Sequence, residues 1–129
     1  MVIDTSALLA ILRNEPERRS FNEAIETAES RALSAVSFVE TSIVIEARFG
    51  GDGVHDLDHF LGMAQIEVVA VDTEQAHVAR RAFSRFGKGR HPAALNFGDC
   101  FSYALAKIRA ERLLCKGEDF TKTDIETQP

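Results

Sequence analysis

Cysteine is scarce in this chain. Cys100 and Cys115 are the only two, and neither a Cys-x-x-Cys pair nor a histidine cluster accompanies them. That leaves no zinc signature. Long apolar runs are missing too, which excludes a helix able to cross a bilayer. No charged-then-apolar leader with a cleavage site is visible, so the expected setting is the cytoplasm, with both thiols reduced. Positive charge is also short: 15 Lys and Arg stand against 20 Asp and Glu, a formal net charge of −5. Non-specific nucleic-acid binding needs the opposite balance. A local basic patch, or a partner that supplies positive charge, stays open. Internal repeats, linkers and low-complexity segments are absent.

What the chain does have is an ordinary globular composition, 45% apolar over 129 residues. That length suits a single domain, 1–129, with one core. Apolar periodicity alternates between strand and helix. Met1 to Asp4 reads as a strand and Ser6 to Leu12 as a helix. A second helix is expected from Pro16 to Ala28, then a short strand at Ala32 to Ser34. A helix over Phe38 to Phe49 should stop at Gly50-Gly51, with a weaker one over Val54 to Ala64. Ile66 to Val71 is rich in β-branched residues and reads as a strand. Asp72-x-x-Gln75 resembles a capping box opening a helix to Phe86. After a polar loop, Gly87 to Asn96, come a helix over Gly98 to Ala110 and a strand at Leu113 to Cys115. Ile125 is a candidate for a last short strand. The alternation predicts an α/β fold with right-handed crossovers around a mostly parallel sheet.

On this map Asp4 ends the first strand, Glu40 and Asp99 lie in first turns of helices, and Asp119 follows the last strand. Strand ends and the starts of the following helices share one edge of a parallel sheet, where such folds hold ligands. Each acid has a local alternative. Asp4 can cap the following helix. Ser37-Phe38-Val39-Glu40 fits a capping box. Yet Glu40 also lies on a stripe with Ile43, Val44 and Ala47, which would turn it toward a core or cleft. Asp99 suits a positive helix N-terminus, and Asp119 can be a solvated loop acid. Together they suggest more. Carboxylates pushed together repel and some protonate. A divalent cation removes the conflict, and an all-oxygen ligand set suits Mg²⁺ or Mn²⁺. The matching chemistry is phosphodiester hydrolysis.

These segments carry a family resemblance. Val2-Ile3-Asp4-Thr5-Ser6-Ala7-Leu8, Ser37-Phe38-Val39-Glu40-Thr41, Asn96-Phe97-Gly98-Asp99-Cys100-Phe101-Ser102-Tyr103-Ala104-Leu105-Ala106 and Lys116-Gly117-Glu118-Asp119-Phe120 resemble the motifs of PIN-domain ribonucleases, close to the VapC toxins of bacterial toxin–antitoxin pairs. The resemblance spans nearly the whole chain. It implies a three-layer α/β/α sandwich, Mg²⁺-dependent endoribonuclease activity, homodimers, and neutralisation by a VapB-like antitoxin. Carried onto this sequence, Asp4, Glu40, Asp99 and Asp119 form the catalytic acids. Asp4 and Asp99 would be the principal metal ligands, with Asp119 completing the set directly or through water. Glu40 would orient water or assist proton transfer. Thr5 or Ser6 would hydrogen-bond an acid or a water, or cap a helix. Asp124 is an extra, peripheral acid.

An acidic site that cuts an acidic polymer needs positive charge nearby. Arg80, Arg81, Arg85, Lys88, Arg90 and His91 cluster before and within the Gly87–Asn96 loop, and Lys116 adjoins the last strand. Lys88, Arg90 and Lys116 are the candidates for RNA contact, against the alternative of a solvated face. Gly87-Lys88-Gly89 lacks the rest of a phosphate-binding loop. Phe38, Phe49, Phe60, Phe83, Phe86, Phe97 and Phe101 are expected mainly in the core. His55, His59 and His77 are expected at or near the surface. Two rival functions remain. One is a phosphatase with Asp4 as nucleophile, although position 6 is Ser where such enzymes commonly place a second Asp. The other is a non-enzymatic module, either a binding protein or a receiver with Asp72 as phosphoacceptor, although Asp4 has no acidic neighbour.

Overall fold

The computed structural model describes residues 1–129 and is an α/β sandwich. Strands β1 (Val2–Ile3), β2 (Ala32–Ser34), β3 (Glu67–Val69) and β4 (Leu113–Leu114) form one parallel sheet, in the order β3-β2-β1-β4. Five helices surround it: α1 (Thr5–Leu12), α2 (Arg18–Thr27), α3 (Ala35–Met63), α4 (Thr73–Phe86) and α5 (Phe97–Arg109). Neighbouring strand residues point to opposite faces. Val2, Ala32 and Leu113 therefore join the core under α4 and α5, with Phe86, Tyr103 and Leu105. Ile3, Leu33 and Leu114 join the core under α1, α2 and the far half of α3, with Leu8, Phe21 and Leu57. Because both faces are covered, β1 and β4 are apolar throughout rather than alternating, and β2 is apolar up to its last residue, Ser34.

Several boundaries differ from the sequence expectation, each for a local reason. The third helix opens at Ala35, because Ser34 is its cap: Ser34 Oγ accepts from the Val36 N–H at 3.3 Å. Ser37 and Glu40 are therefore inside the helix, and the expected Ser37–Glu40 capping box does not form. Gly50 does break the helix, at φ +69° and ψ −159°. No loop follows, however; the chain re-enters helical geometry at once. Gly53 lets the turn close, since a Cβ there would lie 2.6 Å from Phe49 Cβ. The third strand is three residues long instead of six, because it is the sheet edge and Glu67 and Val68 face solvent. Pro16 sits in the turn before α2 rather than within it. Asp72 caps α4 through Gln75 N–H at 2.8 Å, but the Gln75 side chain turns away to Ala70 O, so only half of the expected box exists. The complete box belongs to α5, where Asn96 and Asp99 exchange backbone-to-side-chain bonds.

The C-terminal tail docks beside β4. Leu113 N–H donates to Glu126 O at 2.9 Å and Gln128 N–H to Leu113 O at 2.8 Å, so the last bridge falls at Thr127 rather than Ile125. Asp124 anchors the tail, accepting from Tyr103 Oη at 2.6 Å, Lys107 Nζ at 3.0 Å and Arg85 at 3.2 Å. No helix of the molecule is long and apolar enough to cross a membrane.

Candidate active site

The site grows from the carboxyl end of β1. Asp4 follows the strand directly and is 4% exposed. A buried carboxylate needs donors, and Asp4 has three. Its Oδ2 accepts from Ser6 N–H at 3.0 Å and Ser6 Oγ at 2.6 Å. Its Oδ1 accepts from Ser102 Oγ at 2.6 Å. The two readings of Asp4 are thus compatible: one oxygen caps α1, and the other faces α5. Lys116 N–H donates to Ser6 Oγ at 3.0 Å, tying the segment after β4 to the same point.

Asp99 enters from the first turn of α5. Its Oδ2 accepts from the Asn96 N–H at 3.0 Å. Burial, opposed by the Asn96 hydrogen bond and reinforced by the charges of Asp4, Glu40 and Asp119, pushes its carboxyl up to about 6. One carboxyl therefore feels the other three acids, although they come from distant parts of the sequence. The Cys115 thiol, just past β4, reports the same gathering. Burial, then the charges of Asp4, Asp99, Glu118 and Asp119, push it up to about 12. Burial and Asp99 likewise push Cys100 up to about 11. Both thiols are free, buried and poorly nucleophilic.

Glu40 reaches the site from the second turn of α3. Its carboxylate lies against the backbone of Gly98: a Cβ there would be 2.5 Å from Oε2 and 2.7 Å from Oε1. Only a residue without a side chain leaves room for this acid at the start of α5, where a helix N-terminus favours negative charge. Of the two settings the sequence suggested for the stripe Glu40, Ile43, Val44, a core or a cleft, it takes the second: all three line an open groove and none faces the core. Thr41 and Ile45 do so, while Ile43 is 64% exposed. Val36, Val39, Ile43, Val44, Val71 and Phe97 line an open apolar groove beside Glu40. Phe97 is 73% exposed, so the core expectation fails for it, and also for Phe49 and Phe83. Phe86 is buried and Phe38, Phe60 and Phe101 are partly buried, as expected. His55, His59 and His77 are exposed.

Asp119 stands in the loop after β4 and is exposed, positioned by its buried neighbour Phe120 and by the 3-10 turn over Phe120–Lys122. The acids form an open cluster and not a cage: no three carboxylates, imidazoles or thiols close on one point. Openness of this kind suits Mg²⁺, which keeps several waters and takes one or two protein carboxylates. An all-oxygen donor set and the mutual repulsion of the acids fit such an ion.

The basic candidates divide. Lys88 and Arg90 are exposed and take part in none of the ion pairs. Their loop is held to the start of α5: Lys88 N–H donates to Leu95 O, and Leu95 N–H to Phe86 O. Lys116 is different, because its ammonium pairs with Glu15 at 3.1 Å and Glu17 at 3.4 Å. Sequence reasoning missed Gly98, Asn96 and Ser102. For Gly98 a signal existed, since a glycine in a helix's first turn costs stability without local benefit.

Known proteins share this architecture. VapC20 of Mycobacterium tuberculosis, a sarcin-ricin loop cleaving toxin, superimposes with a TM-score of 0.78 at 15% identity, over 99% of this chain and 98% of that one. VapBC2 from Rickettsia felis, bound to a DNA fragment from its promoter, gives 0.79 at 11% identity, over 98% and 96%. At those identities the likeness establishes the fold. The PIN domain family model matches residues 1–126. Ribonuclease VapC30 of Mycobacterium tuberculosis (strain ATCC 25618 / H37Rv) is 54% identical over 127 residues, 98% of this chain and 97% of that protein. This chain belongs to the PIN-domain family, among its VapC ribonucleases.

Proposed function

We propose that this protein is a cytoplasmic, Mg²⁺-dependent endoribonuclease, the toxin of a toxin–antitoxin pair. The observation that carries the reading is the convergence of acids on the start of α5: Glu40 lies against Gly98 beside Asp99, Asp4 accepts from Ser102 one turn on, and burial with the charges of Asp4, Glu40 and Asp119 raises the Asp99 carboxyl. Asp4 and Asp99 would hold Mg²⁺, or Mn²⁺, with Asp119 completing the set directly or through water. The ion supplies charge neutralisation of the scissile phosphate and acidification of the attacking water. Ser6 and Ser102 fix both oxygens of Asp4, so the acid meets its ligand in one orientation. Glu40, wedged against Gly98, orients the water and accepts its proton as the water oxygen bonds to phosphorus and the ribose oxygen departs. Lys88 and Arg90 draw RNA phosphates toward the acids. The Lys116 ammonium, already paired, contributes mainly through its backbone N–H to Ser6.

The apolar groove beside Glu40, with Val39 53% and Phe97 73% exposed, supports a protein partner there. We assign to this protein a VapB-like antitoxin and a homodimeric assembly. Two rivals fare worse on geometry. A phosphatase with Asp4 as nucleophile would place a second acid two residues after it, and here that position is Ser6, whose N–H and hydroxyl both donate to Asp4 Oδ2. Asp72 is occupied as the cap of α4.

The test is cleavage of structured RNAs in Mg²⁺ or Mn²⁺ by the wild type and by Asp99→Asn. Cleavage by the wild type alone, abolished by EDTA, is expected. Equal cleavage by both proteins would overturn the proposal.

A further inference from the structure

Beneath the acids lies a layer of buried hydroxyls. Ser102 is 1% exposed, and Ser37 is fully buried. Ser102 Oγ donates to Asp4 Oδ1 at 2.6 Å, and Ser37 Oγ lies 3.1 Å from Ser102 Oγ. A serine has one hydroxyl proton, and an ionised carboxylate only accepts. The Ser102 proton is therefore committed to Asp4, and Ser37 must be the donor to Ser102. The chain of donation runs one way, Ser37 to Ser102 to Asp4.

Its placement is regular. Ser37 lies three residues before Glu40 on α3, and Ser102 lies three residues after Asp99 on α5. Residues three apart share a helix face. The two serines thus join α3 and α5 one turn below the acids those helices carry, and they end on the acid carried by β1. A hydroxyl in this position is not the cheap choice. Ala104 and Ala106 fill neighbouring buried positions of α5 without polar atoms, whereas a buried hydroxyl is unfavourable unless bonded.

We infer that Ser102, backed by Ser37, is a positioning residue that fixes the orientation of the Asp4 carboxylate for its cation; this rests on the metal-dependent reading above. Without Ser102, Asp4 Oδ1 has no protein donor and the carboxylate can rotate about its Ser6 contacts. Groups that orient a ligand in this way typically contribute 10- to 100-fold to metal affinity.

The test is Mn²⁺ titration of RNA-free protein, followed by the electron spin resonance of free Mn²⁺ and by calorimetry. Temperatures are kept well below the melting point of each variant. Wild type, Ser102→Ala, Ser102→Cys, Ser102→Thr and Ser37→Ala are compared. Alanine and cysteine at 102 should weaken Mn²⁺ binding by about 10- to 100-fold, cysteine because it keeps volume but donates poorly. Threonine keeps the donor and should restore most of the affinity. Ser37→Ala should give a smaller loss than Ser102→Ala. Melting temperatures lowered with Mn²⁺ affinity unchanged would show a structural role only and overturn the inference. Wild-type protein that binds no Mn²⁺ would instead overturn the metal-dependent reading, and the inference with it.

Discussion

Gly98 and Glu40 are in closer contact than any other residue type at position 98 would allow. A Cβ on Gly98 would sit 2.5 Å from Glu40 Oε2 and 2.8 Å from its carboxyl carbon. The obstructed group is the end of a flexible side chain, so Gly98→Ala should fold. Glu40 must then swing away from Asp99. We expect RNA cleavage to fall at least tenfold, about 1.4 kcal/mol of barrier, with melting temperature within a few degrees of wild type. Undiminished cleavage by a folded Gly98→Ala protein would show that Glu40's location is irrelevant.

Asp4 has structural and chemical duties that substitutions should separate. Asp4→Asn keeps one acceptor oxygen but removes the charge. It should abolish metal-dependent cleavage while leaving a folded protein. Asp4→Ala also removes the cap of α1, a loss of about 1 kcal/mol, and leaves the Ser102 hydroxyl without its acceptor. Chemical denaturation should therefore rank stability as wild type, then Asn, then Ala. An alanine variant as stable as the asparagine one would contradict the capping role.

The raised pKa of Asp99 makes stability depend on pH. An acid whose folded value exceeds its unfolded one favours folding below the unfolded value, near 4. That contribution is lost as pH rises through about 6. In EDTA above pH 7, the charged Asp99 opposes the fold, and Asp99→Asn should be more stable than wild type. Discounting for partial exposure and for the weaker interaction of Asn with the helix N-terminus, the gain is about 1 kcal/mol. It should vanish near pH 4. Thermal unfolding at both pH values checks this. Mg²⁺ should also shift the Asp99 carboxyl resonance so that it titrates below 6. A gain independent of pH would contradict the assignment.

The basic residues should differ in their salt response. Reversing charge at Lys88 and Arg90 should weaken RNA binding and flatten its dependence on salt, by about 0.7 in log–log slope for each phosphate that the protein no longer neutralises. Lys116→Met should leave that slope nearly unchanged, because Glu15 and Glu17 already balance the ammonium. A steeper effect from Lys116 than from Lys88 and Arg90 would reverse the assignment.

Much of this was legible in the sequence because it is local. Apolar runs fixed β1, β2 and β4. Asp72 and the run to Phe86 fixed α4, and the acids fell at strand ends and helix starts by connectivity alone. Glu40 was placed at the right edge for a wrong local reason, since Ser34 and not Ser37 caps α3. Tertiary structure decided what depends on distant partners. Ser102 meets Asp4 across 98 positions, and no periodicity encodes that. Gly98 is required by a side chain on another helix. Lys116 looked free until Glu15 and Glu17 folded against it. Sequence determines which residues can form strands, helices and charges. Only packing determines which buried polar groups must satisfy one another, because burial makes an unpaired group expensive and a partner can come from anywhere in the chain.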